Sequence, residues 1–268
     1  MSEAIGQPGG AAVPHQMTIG EILSAAFRLY RRHWPTLVAI AAVVVVPLTL
    51  LQYYLGDWVR VHGQRTSNGT MMATPSWRVG VAGLLTALVG LLMYLVLTGA
   101  ITRAVAAEAA GEDLGVEQSY RFGFHRLGAV LLVSVLVGLA VVGGLILLII
   151  PGIYIGIRLC LSTQALVVEG RRPTEATGRS WALVGGHWWH AFGTLVVAAL
   201  LTFVVNALIT APFSATNWFG QAVAAAVATV ITLPYSTLVG VLLYLDLRAR
   251  KENLTLERLR ADLQASAT

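Results

Sequence analysis

The 268-residue chain is 56% hydrophobic and only 12% charged, with a formal net charge of +5 and a mean hydropathy of +0.73. That composition excludes an ordinary soluble domain and points to an integral membrane protein, because repeated apolar runs of roughly 20 residues are what helices need to cross a hydrocarbon core about 30 Å thick. The basic residues bracket those runs instead of forming a stripe with base-stacking aromatics, so nucleic acid is not an expected partner, and a single cysteine, Cys160, excludes an intrachain disulfide.

In chain order, residues 1–16 are polar and rich in Gly and Pro and read as a disordered tail, without the pattern of a cleavable signal peptide. Residues 17–34 read as an interfacial amphipathic helix. Thr18 and Glu21 have capping-box spacing. Glu21, Ser24, Arg28, Arg31 and Arg32 share an arc of about 100° on a helical wheel, and Ile19, Ile22, Leu23, Ala26, Phe27, Tyr30 and Trp34 cover the rest.

Residues 35–250 form the membrane domain, with spans expected at 35–55, 80–102, 127–150, 151–168, 191–211 and 219–245. Pro151-Gly152 divides the third span from the fourth as a tight turn, since proline removes a helical N–H and clashes with the preceding turn; one kinked helix there, giving five spans, is the alternative. Pro47 and Pro234 are expected to break spans one and six near mid-depth. Gly152 and Gly156 permit close helix contact at the start of span four. Residues 251–268 are a C-terminal tail or short helix. The expected fold is all-α: a polytopic bundle of six transmembrane helices arranged as three hairpins, with interfacial helices leading into them.

Lys and Arg near helix ends accumulate on the cytoplasmic side. Six spans put 14 of them on one side, from Arg28, Arg31 and Arg32 through Arg171, Arg172 and Arg179 to Arg248, Arg250 and Lys251, and three (Arg60, Arg65 and Arg78) on the other. Both termini are therefore expected in the cytoplasm of a multi-pass cell-membrane protein. All seven tryptophans fall at expected interfaces, and Trp34, Trp181 and Trp188 read as inner-leaflet anchors beside arginines facing anionic lipid headgroups.

The stretch 166–190, LVVEGRRPTEATGRSWALVGGHWWH, carries most of the polar residues of the domain. Aligning His33-Trp34 with His187-Trp188 brings Glu21 onto Glu175, Phe27 onto Trp181 and Leu29 onto Leu183, which suggests one device used twice; residues 119–127 are a poorer third copy. In the second copy Trp181, Val184 and Trp188 form an apolar stripe, and Glu175, Arg179, His187 and His190 lie opposite. His187 and His190 have a spacing that metal sites use, yet no further cluster completes a coordination shell, so an anchor with no metal is the expected reading. Gly185-Gly186 weakens the helix and places the histidines at a joint.

Within the membrane, polar groups are costly unless paired, and each is a functional candidate. Arg158 and Asn206 are expected at similar depth, with Gln52 near them; Arg158 either plays a structural part, snorkelling outward or bonding Asn206, or binds an anion or lipid headgroup. At the opposite edge Glu169, Arg179, Asp246 and Arg248 bring opposite charges to one level. No nucleophile elbow, H-E-x-x-H or phosphate loop occurs, so an enzyme is not expected, nor is a cofactor.

TIGEILSAAFRLYRRHWPTL, PGIYIGIRLCLSTQALVVEG, ATGRSWALVGGHWW and YLDLRARKE together resemble the bacterial glycerophosphoryl diester phosphodiesterase membrane domain family. The likeness covers most of residues 18–255. It implies a six-span protein of the inner membrane without the catalytic barrel that some members carry, and so implies no activity. Two functions are open: a noncatalytic module that organises lipid or docks protein partners, and a small carrier or lipid- and anion-handling protein built around Arg158.

Overall fold

The computed structural model describes residues 16–63, 80–81, 83–84, 97–106 and 127–267, and among them it contains helices and no strand. The tail 1–15, most of the expected second span and all but the last residue of the weaker third repeat copy lie outside the described residues. The labelled helices are α1 (Ile19–Arg32), α2 (Trp34–Gly63), α3 (Leu127–Leu147), α4 (Ile149–Leu159), α5 (Ser162–Glu169), α6 (Pro173–Val184), α7 (Trp188–Thr210), α8 (Trp218–Glu252) and α9 (Leu256–Ala267). Five stretches among the described residues are long and apolar enough to cross a bilayer: Trp34–Asp57, Gly128–Leu147, Ile149–Glu169, Trp188–Phe213 and Trp218–Glu252. The chain thus has the helices of a multi-pass membrane protein.

The 35-residue α8 is the central post, about 52 Å long at 1.5 Å per residue. Asn217 caps its start by accepting from the Gly220 amide at 3.0 Å, and Asn253, in the left-handed region at φ 48°, ends it. Helices α2 and α7 flank α8, and α1 lies against α8 and α7. Every residue of α8 from Thr237 through Ala249 is buried, so this half is enclosed on all sides. A second group, α3 to α6, packs within itself, and α9 covers α5 with Leu259 and Leu263 buried. Helical residues 97–106 add Leu97, Ile101 and Val105 to the core, and Arg103 donates to the Leu263 carbonyl at 2.9 Å.

Several expectations are corrected. The turn between the third and fourth spans falls at Leu148, in extended conformation, not at Pro151-Gly152. Pro151 sits in the first turn of α4, where its missing N–H costs nothing because the first amides of a helix have no intrahelical acceptor. Gly152 lies so near α3 that a Cβ there would sit 2.5 Å from Leu145, whereas one at Gly156 would make ordinary contact. The close approach is therefore confined to the turn. Pro47 and Pro234 break nothing, since α2 and α8 run helical through them. The span expected at 151–168 is itself interrupted, at Cys160-Leu161 between α4 and α5. Trp34 does not end the first amphipathic segment but begins α2.

Candidate functional site

The charged end is built around two carboxylates. Glu169 closes α5, and its side chain is only 5% exposed. It accepts from Arg179 Nε at 2.9 Å, from Arg171 Nε and from the Tyr244 hydroxyl, with Arg248 Nε at 3.5 Å. Arg179 also binds Glu252 through Nη2 at 2.7 Å, and Arg248 reaches Asp262 on α9 through Nη2 at 2.8 Å. Three carboxylates thus face three guanidinium groups, and the network joins α5, α6, α8 and α9. Burial works against the charge of Arg179, but hydrogen bonds to Glu252 and Glu169 outweigh it and hold its pKa above the usual guanidinium value.

Asp246 forms the second centre and is wholly buried. Its Oδ1 accepts from the Met17 amide at 2.6 Å, its Oδ2 accepts from Arg250 Nε at 2.9 Å, and His190 Nε2 lies 3.0 Å from Oδ2. Arg250 Nη2 then donates to the Met17 carbonyl at 2.5 Å. The backbone just ahead of α1 is thereby clamped to α8 on both its N–H and its C=O. Of the four residues expected at the charged edge, Glu169, Arg179 and Arg248 share one network, and Asp246 anchors another. The sequence expectation placed Arg179 on the watery face of an anchor helix; it faces the buried network instead.

The polar set expected inside the membrane does not assemble. Arg158, near the end of α4, donates from Nε to the Tyr154 hydroxyl at 3.1 Å and from Nη1 to the Trp181 carbonyl at 2.8 Å. Its guanidinium lies 4.5 Å from the Trp181 ring centroid and 5.3 Å from that of Tyr154. Tyr154 stacks on Trp188 at 5.8 Å, and Trp188 stacks on Phe192 at 5.0 Å. Arg158 therefore belongs to the starting end of α7. Asn206 donates to Thr202 O and Thr232 Oγ1 at 2.8 and 3.0 Å, 18 residues and about 27 Å farther along α7 than Trp188. Arg158 and Asn206 are not neighbours as expected, because the backbone of α4 itself runs against the start of α7 and against α6: Trp188 Nε1 donates to the Tyr154 carbonyl at 3.4 Å and Ser180 Oγ to the Arg158 carbonyl at 2.8 Å. Gln52 is half-buried on α2.

Ser180 explains how a helix can be interrupted beside Arg158. Its hydroxyl accepts from the Leu161 amide at 3.1 Å and donates to the Arg158 carbonyl at 2.8 Å, pairing backbone groups that the break leaves open. Sequence reasoning missed Ser180, Tyr244, Glu252 and Asp262. A polar residue facing apolar neighbours at helical spacing was the available signal for Ser180 and Tyr244, but it names no partner.

The aligned segments correspond closely at their joints. His33 has φ −115° and ψ 20°, and His187 has φ −122° and ψ 26°. Each carbonyl accepts from the residue four ahead, Leu37 at 3.0 Å and Ala191 at 3.1 Å. The expected stripe Trp181–Val184–Trp188 is not one surface, because Gly186 at φ 82° separates α6 from α7 and Val184 is buried while Trp181 is exposed. Among the described residues no group of three His, Cys, Asp or Glu side chains is placed to hold a metal. No family model, curated protein or solved structure matches the chain.

Proposed function

We propose that the chain is a noncatalytic integral membrane module of a bacterial inner membrane that organises lipid or docks a protein partner. The observation that carries this reading is the dispersal of the intramembrane polar groups. Arg158 is held by α6 and an aromatic cluster, Asn206 is about 27 Å away along α7, and the Glu169 network pairs its own charges. A carrier needs polar groups that converge on one path. In this reading both termini face the cytoplasm, α1 and α6 lie at the inner surface with Trp34, Trp181 and Trp188 as anchors, and the likeness to the glycerophosphoryl diester phosphodiesterase membrane domain family reflects common architecture. The second reading, a small carrier of lipid or anions, is favoured by one fact: no carboxylate among the described residues faces Arg158.

Purification in mild detergent with quantitative identification of co-purifying lipid and protein tests the module. Retention of anionic phospholipid or of a stoichiometric partner is expected, and protein-dependent anion flux in proteoliposomes would overturn it in favour of the carrier. Orientation is tested on a Cys160→Ala background, where Asn68→Cys should label only from outside and Thr174→Cys only from the cytoplasm. The reverse at either position defeats the arrangement.

A further inference from the structure

The candidate spans contain three arginines with described surroundings, and their charges are treated differently. Arg248 faces Glu169, Glu252 and Asp262, and Arg250 faces Asp246. Among the described residues Arg158 has only neutral acceptors, the Tyr154 hydroxyl and the Trp181 carbonyl. A guanidinium carries five N–H donors in a planar fork suited to phosphate oxygens. Two are engaged here, and Nη2 has no acceptor among the described residues. A half-buried guanidinium with no acidic partner, close to a bilayer surface, attracts the anionic headgroups of lipid.

The surroundings indicate where that counter-ion comes from. The guanidinium lies over the rings of Trp181 and Tyr154, which are nearly perpendicular to each other and remain 40% exposed. Trp188 and Phe192 extend the aromatic surface, and Trp189 beside them is 77% exposed. Exposed indoles in a chain of apolar spans mark the headgroup level of a bilayer. The fork fills the space beside Gly185, where a Cβ would fall 2.5 Å from Arg158 Nη1, so a side chain there would make the guanidinium move.

We propose that Arg158, framed by Tyr154 and Trp181, seats the phosphate of an anionic membrane phospholipid. Its free N–H groups bind the phosphodiester oxygens, and the aromatic surface of Trp188, Trp189 and Phe192 takes the upper acyl and glycerol region. This rests on the lipid-organising form of the proposed function and gives it a site.

The test is thermal unfolding of the full chain in detergent, titrated in separate arms with dioctanoyl phosphatidylglycerol, dioctanoyl phosphatidylcholine and inorganic phosphate. Phosphatidylglycerol should stabilise the wild type most, inorganic phosphate at equal concentration should not, and Arg158→Gln should need about tenfold more phosphatidylglycerol for the same shift. Should Arg158→Gln fail to fold, Gly185→Ala provides the second variant: it keeps the charge but displaces the fork, and should weaken the response in the same direction. An equal response in wild type and both variants, or a response to inorganic phosphate alone, overturns the proposal. A wild-type response to phosphatidylglycerol that survives the substitutions removes only this site. Retention of neither lipid nor partner by the wild type would defeat the module reading itself.

Discussion

The segment α1–α2 and the segment α6–α7 pass through the same joint but are held by different means. Both reach a His-Trp pair with nearly the same backbone angles. The aligned positions Ile22 and Ala176, Ala26 and Ser180, Leu37 and Ala191, and Ile40 and Thr194 are all buried. Yet α1 begins with a complete capping box, whereas α6 begins with Pro173 after Arg172, which makes no side-chain cap. The approach to α1 is tied to α8 through its backbone, with Asp246 and Arg250 gripping Met17. Helix α6 is tied by side chains, with Arg179 on Glu169 and Ser180 on the α4–α5 break. One local pattern can thus be reused while its long-range attachments diverge, because the joint depends on neighbouring residues and the attachment on what stands opposite.

The largest effect separating the two segments should come from Glu169→Ala. It leaves Arg179 and Arg248 facing each other with less counter-charge in a dry setting, at a cost of about 3 kcal/mol or more. Thermal unfolding in detergent reads it, and an unchanged midpoint would mean that α6 is not held through this carboxylate. Next in size is Ser180→Ala, which strips a buried amide and carbonyl of partners and should cost about 1–3 kcal/mol. Hydrogen exchange should rise at residues 158–162 first; a rise confined to α1 would contradict the assignment of Ser180 to the break.

Thr18→Ala should cost about 1 kcal/mol through loss of the cap, with increased exchange in the first turn of α1 and none in α6. Equal change in both would show that the two helices are coupled more tightly than their separate anchors imply. The smallest effect concerns pH. Burial, followed by the charges of Arg250 and Lys251, holds the His187 pKa below its usual value of about 6.5. The folded protein therefore binds fewer protons than the unfolded chain in this range. The contribution is complete above about pH 6.5 and is lost as pH falls through the folded value. His187→Asn should flatten that part of the pH profile, and an identical slope in wild type and variant would sink the assignment.

Much of the charged end was legible in residue types. Opposite charges at Glu169, Arg179 and Arg248 lie at matching ends of apolar runs, and the structure brings them together. Tyr244 and Asp262 were not legible as their partners, because nothing within a helical turn of Tyr244 records that α5 ends against α8, and nothing near Asp262 records that α9 folds back to Arg248. Arg158 was misplaced for a related reason. Its distance along α4 sets how far it lies from the turn at Leu148, but where α4 lies depends on α6, whose Ser180 hydroxyl takes the Arg158 carbonyl and whose Trp181 ring and carbonyl receive the guanidinium.

By itself the sequence determined the all-helical class, the apolar stretches long enough for a bilayer, the Thr18–Glu21 cap and the joint after Gly185-Gly186, since each depends on hydropathy or on the conformational preferences and hydrogen bonds of residues within about one helical turn. Tertiary structure alone decided the turn at Leu148, the break at Cys160-Leu161 bridged by Ser180, the enclosure of α8 and the separation of Arg158 from Asn206. These depend on which helix faces which and at what register, and a side chain two helices away satisfies a backbone group or a charge without leaving any trace in the local pattern.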